Sequence, residues 1–310
     1  MSPVVIAVIV ITLLGLAFGL ILSVAGKKLA VEVDPRIEQI LALLPGANCG
    51  GCGHAGCASM ADAIVNGQEA DASKCAACAE DNKKAIAAVM GKAAADGPKV
   101  RMIPRLHCNG CTANREKVSN YQGIHNCYVA AKTLGGPGQC DFGCFGYGAC
   151  ADACTFGALT IGDKGLPVID YDKCVGCGNC VKACPQLLLE MVDSTKKVFL
   201  QCNNREKGKP AMTNCKVSCI SCGMCAKNCP KQAITMEDGV NGSIPVIDYD
   251  KCVGCGLCVS KCPRHCLVKV QPITADTPEA KEDKPKLTGC EACAMKDSCI
   301  SAEQKAVDNK

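Results

Sequence analysis

From Val4 to Gly26 the chain carries 23 residues without a charge, mostly Ile, Leu, Val and Ala, and the run ends at Lys27-Lys28. As a helix it is long enough to cross a bilayer. Ser23-Val24-Ala25 would serve as a signal cleavage site, but no basic residue precedes the run and it is long for a signal sequence, so an uncleaved anchor is predicted. The basic pair behind the span predicts that the rest of the chain is cytoplasmic, where thiols stay reduced. Beyond the anchor, Asp34-Pro35 starts a predicted helix with Ile37, Ile40, Leu41 and Leu44 on one face, stopped by Pro45-Gly46. Another helix is expected from about Ala58. The Ala- and Lys-rich stretch 81–99, ending in Asp96-Gly97-Pro98, reads as a helix followed by a linker, with a boundary near residue 100. Short β-rich stretches around a turn occupy 158–170 and 233–248 and predict two small hairpins. The polar segment 274–286 reads as a flexible linker.

Cysteine changes this picture most. The chain has 30 cysteines in 310 residues, no Trp, and five each of Phe and Tyr. Cys174, Cys177, Cys180 and Cys184 with Pro185, and Cys252, Cys255, Cys258 and Cys262 with Pro263, both read C-x2-C-x2-C-x3-C-P, the bacterial ferredoxin run whose fourth thiolate serves the neighbouring cluster. Disulfide scaffolds scatter their cysteines among loops, and zinc domains use C-x2-C pairs with longer spacers, so neither accounts for these runs. Residues 167–185 and 245–263 are identical at 16 of 19 positions, the mark of a duplicated unit. Before the first copy stands Cys140, Cys144, Cys150, Cys154; before the second, Cys219, Cys222, Cys225, Cys229.

Each pair of runs therefore predicts a two-cluster module, and exchange of the fourth cysteine gives the ligand sets. Cys140, Cys144, Cys150 and Cys184 are expected on one [4Fe-4S] cluster, and Cys154, Cys174, Cys177 and Cys180 on its partner. Likewise Cys219, Cys222, Cys225 and Cys262 form a third set; Cys229, Cys252, Cys255 and Cys258 form a fourth. The loop Cys49-Gly50-Gly51-Cys52-Gly53-His54-Ala55-Gly56-Cys57 offers three ligands of a fifth. Its fourth is Cys75 or Cys78, with Cys75 favoured by the shorter return. Ten cysteines remain outside these sets. Cys108, Cys111 and Cys127 with Cys202 or Cys215, and the trio Cys290, Cys293, Cys299, are candidates for further clusters; buried or free thiols are the alternative. His54 reads as a loop residue, while His107, His125 and His265 lie near cysteines as candidate outer hydrogen-bond donors. Lys173 and Lys251 read as solvated surface lysines.

The expected architecture is α+β. It comprises an anchor (1–28), a small helical 4Fe-4S domain with its linker (29–99), a Cys-containing connection (100–136), ferredoxin-like modules over 137–200 and 201–270, and a linker with the terminal cysteine motif (271–310). The formal charge of +4 becomes roughly −6 once five clusters of about −2 are counted, so the basic balance does not point to nucleic acid. No aromatic-interleaved basic patch does either.

The anchor, the LLPGANCGGCGHAGC loop and the tandem runs together resemble the B subunit of the Rnf complex, the ion-translocating ferredoxin:NAD+ oxidoreductase of bacterial membranes. The resemblance implies a polypeptide that takes electrons from reduced soluble ferredoxin and passes them to partner subunits carrying flavin, the NAD site and the Na+ or H+ pathway. Consistent with this division, the chain has no G-x-G-x-x-G after a predicted strand, and one apolar helix without ionisable residues forms no ion path. The rival expectation is a membrane-anchored polyferredoxin subunit of a hydrogenase or quinone reductase.

Overall fold

The structure, a computed structural model, describes residues 3–28, 34–92, 100–118, 122–133, 136, 138–239 and 241–273. The expected C-terminal linker and the Cys290, Cys293, Cys299 trio lie outside the described residues. Helix α1, Pro3–Lys28, contains the apolar run; its described side chains are nearly all exposed, and by length and composition it is a candidate membrane span.

A small helical domain follows. Helix α2 (Pro35–Leu43) starts where Asp34 accepts a hydrogen bond from the Arg36 backbone N–H at 2.9 Å, with Pro35 in the first turn. Helices α3 (Cys57–Val65) and α4 (Glu80–Val89) pack against it, burying Ile40, Leu44, Met60, Ile64 and Ile86. Asn82 donates to the Leu43 carbonyl at 2.8 Å and ties α4 to the end of α2.

The remainder is built twice. Strand β1 (Met102–Leu106) is followed by helices α5 (Cys127–Thr133) and α6 (Ala149–Asp152), the hairpin β2 (Leu159–Ile161) and β3 (Pro167–Ile169), helix α7 (Asn179–Lys182) and strand β4 (Leu189–Asp193). The second copy runs through β5 (Val198–Leu200), α8 (Lys209–Asn214), α9 (Met224–Lys227), β6 (Ile234–Asp238), β7 (Ser243–Ile247), α10 (Leu257–Ser260) and β8 (Leu267–Lys269). Each hairpin, β2–β3 and β6–β7, lies within the expected segment. In each copy the strand preceding the cysteines also pairs antiparallel with the strand that follows the last run, β1 with β4 and β5 with β8. These closing pairs join residues more than sixty positions apart in sequence, such as Leu106 with Leu189 and Leu200 with Leu267, and no local pattern marked them. Residues 102–106 are therefore part of the first module's sheet.

The two copies meet across Arg105, which is 2% exposed. Its guanidinium lies 5.1 Å from the Tyr171 ring centre and 4.8 Å from that of Phe199, and donates to the Tyr171 hydroxyl at 3.1 Å. A cation between two aromatic faces suits a site from which water is excluded.

Gly176 has φ +73°, and a Cβ there would meet the Met102 carbonyl at 2.3 Å, whereas Gly157, at φ +61°, has open space around its Cβ position. Gly157→Ala should cost about 1 kcal/mol from backbone strain alone. Gly176→Ala should cost clearly more, because β1 must also shift; the midpoints of thermal bleaching of the two variants make the comparison.

Candidate electron-transfer site

Wherever a ferredoxin run ends, the chain turns back in the same way. The third residue after the last cysteine takes a left-handed conformation: Gly157 (φ 61°), Leu187 (51°), Gln232 (48°) and His265 (51°). This directs the next backbone N–H onto the cysteine sulfur, giving Ala158 to Cys154 at 3.3 Å, Leu188 to Cys184 at 3.4 Å, Ala233 to Cys229 at 3.3 Å and Cys266 to Cys262 at 3.4 Å. Hydrogen bonds of this kind stabilise negative charge on sulfur and tune a bound cluster.

Four apolar recesses of 350 to 380 Å3, open mouths included, lie beside these turns. One is lined by Cys154, Cys174, Cys177 and Cys180, a second by Cys229, Cys252, Cys255 and Cys258, and a third by Cys219, Cys222, Cys225 and Cys262 together with Cys266. The fourth departs from the spacing argument: Cys144, Cys150 and Cys184 line it with Cys127, at the start of α5, and Cys140 does not. Alignment of the two copies explains the exchange. Cys144 corresponds to Cys219, Cys150 to Cys225 and Cys184 to Cys262, so C-x5-C in the first copy lacks the middle cysteine that Cys222 supplies in the second. Cys127 stands in its place. The signal in the sequence was the register of the repeat, which a reading from Cys140 shifts by one cysteine.

In the N-terminal domain, Cys49, Cys52 and Cys57 are half-buried, while Cys75 and Cys78 are buried. Asn48 accepts from the Cys57 N–H at 2.8 Å and holds the loop against α3. Cys75 receives backbone N–H bonds from Ala77 and Cys78 and feels the thiols of Cys52 and Cys49. Cys78 points its thiol toward the Leu43 carbonyl at 4.0 Å and feels the thiols of Cys75 and Cys57. His54 is held by Glu69 at 3.3 Å, and Glu69 also binds Lys74 at 2.6 Å. His107 pairs with Glu190 at 2.8 Å, and His125 stacks on Tyr147. Lys173 and Lys251, mostly exposed, pair with Asp170 and Asp248.

Burial drives many of the buried metal-free thiols upward, Cys180 to about 12, and Cys150 and Cys225 to about 11. Cys262 and Cys219 go the other way, to about 5 and about 7, because the Cys266 thiol hydrogen-bonds to both. Metal binding must remove the protons of the raised thiols. Four sulfurs around one apolar recess, with backbone N–H groups on their outer side, fit a [4Fe-4S] cubane. Among the described residues no three His, Cys, Asp or Glu side chains stand close enough to share a single ion.

The loop of the N-terminal domain lies directly on the first module. Asn179 donates to the Cys49 carbonyl at 2.6 Å, and a Cβ on Gly51 would sit 2.8 Å from that of Cys177. Within that module, Cys180 feels the thiol of Cys150, which belongs to the neighbouring recess.

Comparison with known proteins agrees with this geometry. Residues 218–266 match the family described as "4Fe-4S dicluster domain", 167–187 the "4Fe-4S binding domain" and 44–77 the "Putative Fe-S cluster" family. The chain is 39% identical over 216 residues to the B subunit of the Na(+)-translocating ferredoxin:NAD(+) oxidoreductase complex of Acetobacterium woodii, covering 69% of this chain and 64% of that protein. It is 38% identical over 217 residues to the B subunit of the proton-translocating ferredoxin:NAD(+) oxidoreductase complex of Clostridium ljungdahlii (70% of this chain, 76% of that one). The B subunit of the ion-translocating oxidoreductase complex of Methanosarcina acetivorans is 38% identical over 204 residues (66% and 76%).

Cys127→Ala and Cys184→Ala should each remove about four irons per chain, and the double variant should lose no more than either, as expected for one shared cluster. Iron and acid-labile sulfide analysis of anaerobically purified protein reads this directly.

Proposed function

The chain belongs to the family of B subunits of ion-translocating oxidoreductase complexes and is an iron–sulfur electron-transfer subunit, and we propose that it conducts electrons from reduced ferredoxin toward partner subunits that reduce NAD+ and move Na+ or H+. A [4Fe-4S] cluster in each set supplies a one-electron couple. The ligands we assign are Cys49, Cys52, Cys57 and Cys75; Cys154, Cys174, Cys177 and Cys180; Cys127, Cys144, Cys150 and Cys184; Cys219, Cys222, Cys225 and Cys262; and Cys229, Cys252, Cys255 and Cys258. The Cys75 choice draws support from its two N–H bonds and from a family match that ends at residue 77.

The observation that carries the reading is the contact of successive sulfur sets, with the Cys49 loop seated on Cys177 and Cys180 beside Cys150. The protein's part is to exclude water from the sulfurs, hold them at fixed separations and direct N–H groups onto them, so that the clusters change charge with little rearrangement. Two features suggest a direction. Cys222 and Cys255, in the second module, are the exposed ones among the described free thiols, which makes that end the entry for a soluble donor. The N-terminal set follows the apolar helix most closely in sequence, which makes it the exit toward membrane partners. The helix would cross the cytoplasmic membrane once, with the cluster domains inside, in keeping with Lys27-Lys28 behind it.

Anaerobic mixing of the full chain in detergent with reduced ferredoxin should bleach its visible absorbance; a spectrum that stays unchanged under excess donor would sink the proposal. In Gly51→Val, where a branched side chain meets Cys177, iron content should hold while bleaching becomes biphasic, as the N-terminal cluster lags behind the rest.

A further inference from the structure

One gap interrupts the row of sets. The Cys127 set closes the first module and the Cys219 set opens the second, and among the buried cysteines between them that neither uses are Cys108, Cys140, Cys202 and Cys215, each less than a tenth exposed, with Cys111 and Cys266 buried beside them. Cys140 feels Cys108, Cys202 and Cys215, and Cys215 feels Cys108 and Cys202. A Cβ on Gly110 would stand 3.5 Å from the Cys108 sulfur and 3.6 Å from that of Cys215, so the two sulfurs flank one point.

The four obey the internal repeat. Cys108 follows β1 as Cys202 follows β5; the N–H two residues on binds each sulfur at 3.4 Å, from Gly110 and from Asn204. Just before them, the His107 and Gln201 N–H groups bind the Leu188 and Cys266 carbonyls, both at 2.7 Å. Cys140 precedes Cys144 by four residues as Cys215 precedes Cys219, and each accepts the N–H two residues on, from Phe142 and from Val217. The set is thus a pair from each copy, related by the duplication and meeting where the copies join.

From these observations we infer that Cys108, Cys140, Cys202 and Cys215 hold a sixth [4Fe-4S] cluster, the relay between the two modules. This rests on the electron-carrier reading above and extends it. Two hydrogen bonds place it in the row. The Cys144 N–H binds the Cys108 sulfur, and the Cys219 N–H binds the Cys202 sulfur at 3.2 Å. Cys144 and Cys219 belong to the two flanking sets, so one peptide unit links the relay to each neighbour. The electron received from one reduced neighbour leaves to the oxidised neighbour on the other side, with no bond made or broken.

Arg115 fits the same site. Its charge favours the thiolates of Cys108 and Cys215, its Nη2 donates to the Cys144 carbonyl at 2.6 Å, and its Nη1 is buried with no hydrogen-bond partner among the described residues. A Cβ on Gly138 or Gly143 would each fall 2.3 Å from this guanidinium group, so both glycines make room for it. A buried cation beside a cluster of charge about −2 offsets part of that charge. Cys266, which also touches Cys202 and Cys219, is not needed as a ligand: its equivalent in the first copy is Leu188.

The test is an iron and labile-sulfide count on the full chain purified anaerobically. The native chain should hold about 24 irons or more, six cubanes of four; about 20 overturns the sixth cluster, and iron-free protein overturns the electron-carrier reading itself. Cys215→Ala should lose about four irons, Cys140→Ala with Cys215→Ala still about four, and Cys140→Ala with Cys184→Ala about eight. A loss of eight in the first double variant, or only four in the second, overturns the assignment. Cys266→Leu should keep the full count, and a loss of four there overturns the exclusion of Cys266. If the alanine variants retain no iron at all, the native count decides.

Discussion

A backbone N–H directed at a buried cysteine sulfur is the interaction on which the rest of this protein depends. A thiolate taken out of water needs donors around it, and side chains supply few of them here. The chain meets the need with backbone: the left-handed residue three positions after each last cysteine turns the following N–H inward, at Ala158, Leu188, Ala233 and Cys266. Leu187, Gln232 and His265 accept a conformation that disfavours residues with a Cβ, a cost of about 1–2 kcal/mol each. The recurrence of that strain at equivalent positions shows that the sulfur geometry, and not local preference, fixes the turn.

From that constraint the core follows. Buried clusters of residues in both modules mix aliphatic side chains with cysteines, as where Val198, Leu200, Ile234 and Leu267 pack with Cys202, Cys219, Cys225 and Cys258. Helices of four residues and strands of three to five are too short to be stable alone. They are held by closing pairs such as β1–β4 and by the sulfur sets between them. The same economy explains the absence of Trp and the few aromatic residues, since metal clusters occupy the volume that rings fill elsewhere.

Duplication then gives the row its geometry. Two copies of one unit bring their leading cysteines to a common junction, with Arg105 between Tyr171 and Phe199 on one side and Arg115 beside Cys108 and Cys215 on another. Arg105 is almost fully desolvated and Arg115 partly so, and Arg115 places positive charge beside sulfurs that carry negative charge when ligated. The N-terminal loop extends the row in the other direction through the close approach of Gly51 to Cys177.

The sequence by itself determined the kind of chemistry, the number of ferredoxin runs, the apolar helix and the two hairpins, because these depend on spacing and periodicity within a few residues. Three of the four recesses follow the spacing of the runs for the same reason. The register of the repeat sets Cys140 apart from the fourth recess, but tertiary structure alone decided that Cys127 completes it, that residues 102–106 close the first module, and that Cys108 and Cys140 meet Cys202 and Cys215. Those juxtapositions join residues that are tens of positions apart, and folding of the two copies against each other brings them together. A spacing rule sees only neighbours along the chain, whereas a cubane is completed by whichever sulfurs the packed backbone brings to its corners.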